Sequence, residues 1–262
     1  MKTAPDTPAD LSAQIASELR DLIVSGALIV DARLPSEAEL AEQFDVSRPT
    51  IREALKRLAA QSLIRTERGA FGGAFVNRMS YGEARAQLVT TSTLLLTMNE
   101  VDFDTACEAR FALERACAPM VAARRQDSHL GVMRSEIARQ RSPGLSDEAF
   151  CASDVAFHLA LTDGAENPIL SYHLAGAIEA MQPLMNMITY SARSRSRIID
   201  CHEAILSAAE ARDGDGIDAG LDRLQNYTSD LAHLVMTERA ARKAARAASP
   251  DSSPLNQMEK PK

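Results

Sequence analysis

The sequence predicts a mostly α protein in two parts: an N-terminal winged helix-turn-helix with a small β-hairpin wing, then a C-terminal all-α antiparallel helical bundle. Three observations carry that expectation. Residues 34–55 read LPSEAELAEQFDVSRPTIREAL, which is two short capped helices around a turn. Residues 62–76, SLIRTERGAFGGAFV, read as two short strands around a glycine-rich tip. From Gly82 to about Thr237 the chain alternates helical apolar periodicity with brief breaks and offers no convincing strand.

In the first helix of the pair, Pro35 and Ser36 form the start, with Ser36 as the cap, and Leu40, Ala41 and Phe44 make the apolar face. Asp45 breaks the run and Val46 packs under the turn. Ser47 caps the second helix, Pro49 opens it, and Ile51, Ala54, Leu55 and Leu58 form its inner face. Its outer face is expected to carry Ser47, Arg48, Thr50, Arg52 and Lys56. A helical N-terminus rich in Arg and small hydroxyls suits the major groove of duplex DNA: Arg forks onto guanine O6 and N7, and hydroxyls hold phosphates. Strands Leu63–Glu67 and Ala74–Val76 flank a tip at Gly69–Gly73 and form the wing, with Arg65 and Arg68 bringing charge to its base and tip.

Charge supports a localised reading face. Between Ser47 and Arg68 stand six Arg or Lys against two acids, yet residues 1–78 hold ten basic and eleven acidic residues. Residues 79–262 hold 19 basic and 25 acidic residues, and the net charge is −7. That balance excludes a non-specific coater of nucleic acid and fits a small basic head on an acidic body. No stretch reaches the roughly eighteen apolar residues of a membrane span. The segment MKTAPDTPAD lacks the apolar core of a signal peptide. Cys107, Cys117, Cys151 and Cys201 form no CxxC pair and read as reduced thiols, so a cytoplasmic location is expected.

The run LPSEAELAEQFDVSRPTIREALKRLAAQSLI, followed by the glycine-rich wing, resembles the winged-helix head of the GntR family of bacterial transcription regulators over roughly residues 11–76. The resemblance implies a double-stranded DNA operator as partner, with Arg33, Ser36, Ser47, Arg48, Thr50, Arg52 and Lys56 on the DNA face and Arg68 and Gly69 reaching toward the minor groove. Many relatives carry a further DNA-contacting Arg where this chain has Ala38, so a different operator preference is expected.

The domain expectation is 8–78 for the head, 82–240 for the bundle and a disordered tail over 247–262. Helices are expected at 82–98, 102–125, 129–140, 146–162, 168–192 (kinked at Pro183), 198–211 and 215–245. Three places in the bundle carry chemistry. Asp154 and His158 stand at i and i+4 in SDVAFHLAL, a spacing that can chelate a divalent ion. His202 lies on a later helix. Arg110, in CEARFALERA, stands among Ala106, Phe111 and Leu113 and needs an anion, either an internal acid such as Glu114 or a bound carboxylate.

The segments EARFALERACAPMVAAR, DVAFHLALTDGAENPIL and CHEAILSAAEARDGD, in this order, resemble the FCD ligand-binding domain of the FadR subfamily over about residues 83–235. That resemblance puts Asp154, His158 and His202 on three ligands of a divalent metal (Zn, Ni or Mn) and Arg110 on the residue that grips a small carboxylate effector. The family's fourth ligand, a His, falls within positions 224–226, where this chain has Leu224, Gln225 and Asn226. Asn226 can offer a weak oxygen, His233 is off register, and His173, on the expected fifth helix, is a reserve candidate that reads more readily as a packed surface histidine. Two readings stand: three protein ligands completed by water or effector oxygens, or a metal-free site built on Arg110.

The implied protein is a homodimeric repressor, with no membrane partner, that presents two heads to a pseudo-palindrome and is released by a sugar acid, hydroxy acid or dicarboxylate. The alternatives are an acyl-CoA-responsive regulator without metal, and a metal-dependent enzyme fused to the head. Against catalysis, the sequence offers no general base beside the cluster, no nucleophile motif and no phosphate loop.

Overall fold

The computed structural model describes residues 8–69, 72–98, 100–183, 185 and 195–248. Contacts divide the chain after Ala84 into two compact units.

The first unit opens with α1 (Pro8–Val24), an element the sequence reading did not delimit; Ile15, Ala16 and Leu19 bury one of its faces. Next comes α2 (Glu37–Gln43), capped as expected by Ser36. The cap is a full box: Glu39 N–H donates to Ser36 Oγ at 3.3 Å, and Ser36 N–H donates to Glu39 Oε2 at 2.7 Å. Asp45 turns the chain with φ of 51°, a left-handed conformation that a short polar side chain tolerates. Ser47 then caps α3 (Arg48–Ala60), whose Ile51, Ala54 and Leu58 are fully buried. Strands β1 (Ile64–Glu67) and β2 (Gly73–Val76) pair antiparallel, Ile64 opposite Val76 and Glu67 opposite Gly73. Each begins one residue from its expected position. The wing reverses through Gly69, at φ of 109°, a backbone shape that favours glycine. Leu34, Leu40, Ile51, Leu58, Ile64 and Val76 close one small core beneath the helices and hairpin.

The second unit is all helix among the described residues: α4 (Tyr81–Thr97), α5 (Phe103–Arg124), α6 (Asp127–Gln140), α7 (Asp147–Asp163), α8 (Pro168–Ala180), α9 (Arg195–Glu210) and α10 (Gly214–Ala248). Side-chain caps start α5 at Asp102, α7 at Ser146 and α8 at Asn167. The expected helix over 168–192, kinked at Pro183, is interrupted: α8 closes at Ala180, Met181 is a turn, and Gln182, Pro183 and Met185 are helical again. Residues 186–194 fall outside the described ones, as does most of the 247–262 tail. Phe111, Phe150, Phe157, Leu174, Ile178 and Ile205 make a continuous dry core. Across it Arg115 ties α5 to α10 through Asp218 and Asp222. One residue of the sequence reading is corrected: Leu113 is 38% exposed. The inner face of α5 runs through Arg110, Phe111, Glu114, Cys117, Ala118 and Val121, and a 3.6-residue turn puts Leu113 on the far side.

Removing the Ser36 hydroxyl tests the capping box. Ser36→Ala is expected to cost about 1 kcal/mol of head stability in denaturant unfolding. The double variant with Glu39→Ala should cost less than the two single changes added, because the two bonds are reciprocal. Full additivity would mean that the box does not act as a unit.

Candidate functional site

Two arrangements of polar side chains stand out, one in each unit. In the head, Ser47, Arg48, Arg52, Lys56, Arg68 and Gly69 are exposed, as a DNA-reading face requires. Thr50 departs from expectation: it is only 9% exposed, and its hydroxyl bonds Ser47 Oγ at 2.8 Å, so it supports the helix start instead of facing outward. Arg52 is clasped by Glu37, its Nη2 and Nε donating to the two carboxylate oxygens at 2.7 and 3.2 Å. Arg33 donates through Nη2 to Gly72 O at 2.6 Å and lies under Gly73, where any Cβ would come within 2.9 Å of its Nε. Gly73 thus makes room for an arginine at the base of the wing. Arg65 is committed to structure: it donates to Asp31, Glu67 and the carbonyl of Val76. A cleft of about 430 Å³ runs between α3 and the wing, lined by Arg33, Ser36, Arg52, Lys56, Thr66 and Gly73. The part played by Glu37 was not apparent from the sequence.

In the bundle, Asp154, His158 and His202 come together. Their ligand atoms lie within 4.8 Å of one another, and all three residues are buried. Helical spacing puts Asp154 and His158 on one face of α7, with Phe157 between them, and α9 delivers His202. The Phe157 ring stacks on His202, with centroids 4.0 Å apart and planes at 17°. His202 Nε2 is 3.4 Å from Asp154 Oδ1.

Each histidine is held by its other nitrogen. Glu114 Oε2 accepts the Nδ1–H of His158 at 2.5 Å, and Gln140 Oε1 accepts from His202 Nδ1 at 2.9 Å. An ionised carboxylate can only accept, so His158 carries a proton on Nδ1, and in the neutral ring the lone pair is on Nε2. That Nε2 is buried and has no hydrogen-bond partner among the described residues. A lone pair left so, beside a second imidazole and a carboxylate, is what a divalent cation needs.

Arg110 is 3% exposed and donates from Nε to Glu114 Oε1 at 2.6 Å. The internal acid foreseen as its partner is therefore real. That bond uses one of five donors, and the fork end makes no hydrogen bond to the described residues. Burial alone would raise the Glu114 carboxyl; the charges and hydrogen bonds of His158 and Arg110 overcome this and hold it below its ordinary 4.5. Burial likewise opposes the Arg110 charge, but Glu114 and Asp154 outweigh it and push the guanidinium pKa up. The Cys117 thiol is pushed up to about 11 by burial and by Glu114.

Asn226 does not join the cluster. It is exposed on α10 and donates to Asp222 Oδ2 at 3.1 Å, so its expected ligand role is corrected. Of positions 224–226 only Leu224 is buried, at 3% exposure, and it has no donor atom. His173 and His233 are exposed and apart from the cluster; His233 lies 3.7 Å from Asp104. The roles of Gln140 and Phe157 left no signature in the sequence. Glu114 was visible only as an acid one turn from Arg110.

Residues 11–76 match the family described as bacterial regulatory proteins, gntR family, and residues 105–226 match the FCD domain. Among curated relatives, the chain is 29% identical to the galactonate operon transcriptional repressor of Escherichia coli strain K12, over 84% of this chain and 96% of that one. It is 28% identical to the HTH-type transcriptional regulator LutR of Bacillus subtilis strain 168, covering 83% and 94%. A solved structure titled Streptococcus agalactiae GntR aligns with 22% identity and a TM-score of 0.48, over 85% of this chain and 99% of that one. Among the described residues no helix is long and apolar enough to cross a membrane.

The Arg110–Glu114–His158 network predicts an acid limb. A carboxyl whose folded value is depressed stabilises the fold fully above its unfolded value near 4.5, and that contribution is lost as the pH falls through the folded value. Arg110→Ala should cost about 3–5 kcal/mol at neutral pH, because it removes one partner of a buried pair. Its stability should also decline less steeply below pH 4.5 than that of the unaltered protein. Urea unfolding across pH reads both; a variant as stable as the unaltered chain would show that the pair is not a structural tie.

Proposed function

We propose, for a chain that belongs to the GntR family of bacterial transcription regulators and joins a winged-helix head to an FCD domain, that a small carboxylate bound in the helical body sets its affinity for an operator. The protein is a transcriptional regulator and not an enzyme. The observation that carries the effector reading is the buried cluster of Asp154, His158 and His202 with the Arg110 fork beside the same carboxylate that holds His158.

The donor set fits a divalent metal. Two imidazoles with their Nδ1 atoms engaged and one carboxylate make a three-ligand set with room for exogenous oxygens. When bound, such a metal supplies a Lewis-acidic anchor for a carboxylate or hydroxyl oxygen. With Leu224 inside and Asn226 outside, three protein ligands hold it. Zn²⁺, Ni²⁺ and Mn²⁺ all suit this set.

Arg110 then orients the effector's carboxylate, and the effector class is a sugar acid, hydroxy acid or dicarboxylate. The relative in E. coli named for galactonate, a sugar acid, leans the same way. The DNA face is assigned to Arg33, Ser36, Ser47, Arg48, Arg52, Lys56, Arg68 and Gly69, with Thr50 bracing it. A homodimer in the cytoplasm presents two heads, since one recognition helix and one wing make few contacts. The effector releases a repressor by favouring the state with weaker DNA affinity.

Three measurements check this. On a duplex selected from a random pool, Arg48→Ala and Arg52→Ala should each weaken specific binding by about 1–3 kcal/mol in an anisotropy titration, with thermal stability kept. Unchanged affinity in both would remove α3 from the DNA face. Chelator-stripped protein should gain melting temperature with Zn²⁺, Ni²⁺ or Mn²⁺ in a concentration-dependent way, and Asp154→Ala should abolish the gain. A screen of hydroxy and sugar acids against the operator complex then asks whether Arg110→Lys, which keeps the charge and loses the fork, blunts release. No metal shift together with full release in Arg110→Lys would overturn the site.

A further inference from the structure

We infer that Glu114 is the positioning residue of the body: a single carboxylate that sets the tautomer of His158 and the direction of the Arg110 fork, and so couples a metal ligand to the effector's anchor. The inference rests on the metal and effector reading above, and adds to it a residue outside the proposed ligand set.

The geometry admits few alternatives. The Glu114 side chain has no exposed surface, and those of Arg110 and His158 show 4% and 0%. One oxygen faces Arg110 Nε at 2.6 Å and the other faces His158 Nδ1 at 2.5 Å. Both neighbours must donate: guanidinium has no acceptor, and an anionic carboxylate has no proton to give. The neutral imidazole is therefore locked with hydrogen on Nδ1 and a lone pair on Nε2. Phe111 and Phe157 stand edge-on to the same ring, at centroid distances of 6.4 and 5.5 Å, so it has little freedom to flip. Arg110 is fixed at its Nε, which leaves the fork end to a ligand. His202 differs, because its Nδ1 partner is the neutral amide of Gln140. The two imidazoles are thus unequal: Nδ1 of His158 faces a carboxylate and Nδ1 of His202 a neutral amide.

This arrangement makes an isosteric change informative. Glu114→Gln keeps the size and the helix but presents one acceptor and one donor to two donors. The amide cannot serve both neighbours. Either its NH₂ turns toward His158, which forces the proton to Nε2 and removes the ligand lone pair, or it turns toward Arg110 and pushes the guanidinium away. A purely structural tie would lose stability in Glu114→Gln without moving the tautomer.

The test uses the full chain, with nitrogen-15 in its five histidines and resonances assigned by single His substitutions. Long-range nitrogen–proton spectra of the metal-free protein should show His158 protonated at Nδ1. In Glu114→Gln the His158 ring should switch to Nε2–H, or else the release of operator by an effector should be lost while the ring stays unchanged. Zn²⁺ titration of the same samples by calorimetry should show affinity about 10–100-fold weaker in Glu114→Gln if the ring switches. Glu114→Asp, which keeps two acceptor oxygens, should restore the Nδ1–H tautomer at least in part. Nδ1–H with unchanged Zn²⁺ affinity and unchanged effector response in Glu114→Gln would overturn the assignment. Should the unaltered protein bind no Zn²⁺ at all, the metal reading fails, while the tautomer shift in metal-free protein still decides the role of Glu114.

Discussion

A carboxylate with no exposed surface, shared between an arginine and a histidine, is the interaction on which the body of this protein depends. Taking an ionised acid out of water is costly unless its lone pairs are filled, and Glu114 fills them with the Nε–H of Arg110 and the Nδ1–H of His158. The consequence runs outward along α5 and α7. Arg110 can stay charged inside the core only because Glu114 is there, and Glu114 can stay ionised only because Arg110 and His158 donate to it. The other buried acid of the cluster, Asp154, stands one turn before His158 on α7, with His202 Nε2 3.4 Å from its Oδ1.

Aromatic packing closes the buried cluster. Phe157 lies between Asp154 and His158 in sequence, yet on the helix it reaches over to stack on His202 from α9. Phe111 approaches from α5. Aromatic edges and faces fix the imidazoles without offering them hydrogen bonds, so orientation comes from packing and tautomer from Glu114 and Gln140. A site of this kind is organised before any ligand arrives. Its side chains are already ordered by the fold, so a ligand would lose little binding energy to arranging them.

Much of this was legible in the sequence, and the reasons for the gaps are physical. The head declared itself because caps and turns are local: Ser36, Asp45, Ser47 and Pro49 each act within a few residues, and the structure places them where the pattern does. Periodicity found the helices of the body to within a few residues, except where α8 stops early. Asp154 and His158 could be read from an i, i+4 spacing, and His202 from resemblance. Gln140 could not be read at all, since its partner lies 62 positions away. Arg110 was seen to need an anion, but a sequence gives no hint that the acid answering it also holds a histidine 44 positions on. Thr50 was misjudged because the first turn of a helix places a side chain inward or outward within one residue's rotation. Asn226 failed for the same reason on α10, where Leu224 takes the inward position.

The two units use charge in opposite ways, and their tasks require it. In the head, Arg52 rests on Glu37 and Lys56 on Glu53, in pairs whose side chains are 39–68% exposed. Exposed pairs of this kind are worth roughly 0–1 kcal/mol, so exchanging a carboxylate for a phosphate or a guanine edge costs little. Glu37 thereby keeps Arg52 extended along the cleft without trapping it. In the body, the Arg110 pair is buried, and disrupting it is expensive. Weak ties at Arg52 and strong ones at Arg110 therefore separate an exposed face whose internal partners exchange at little cost from a buried network that keeps one geometry.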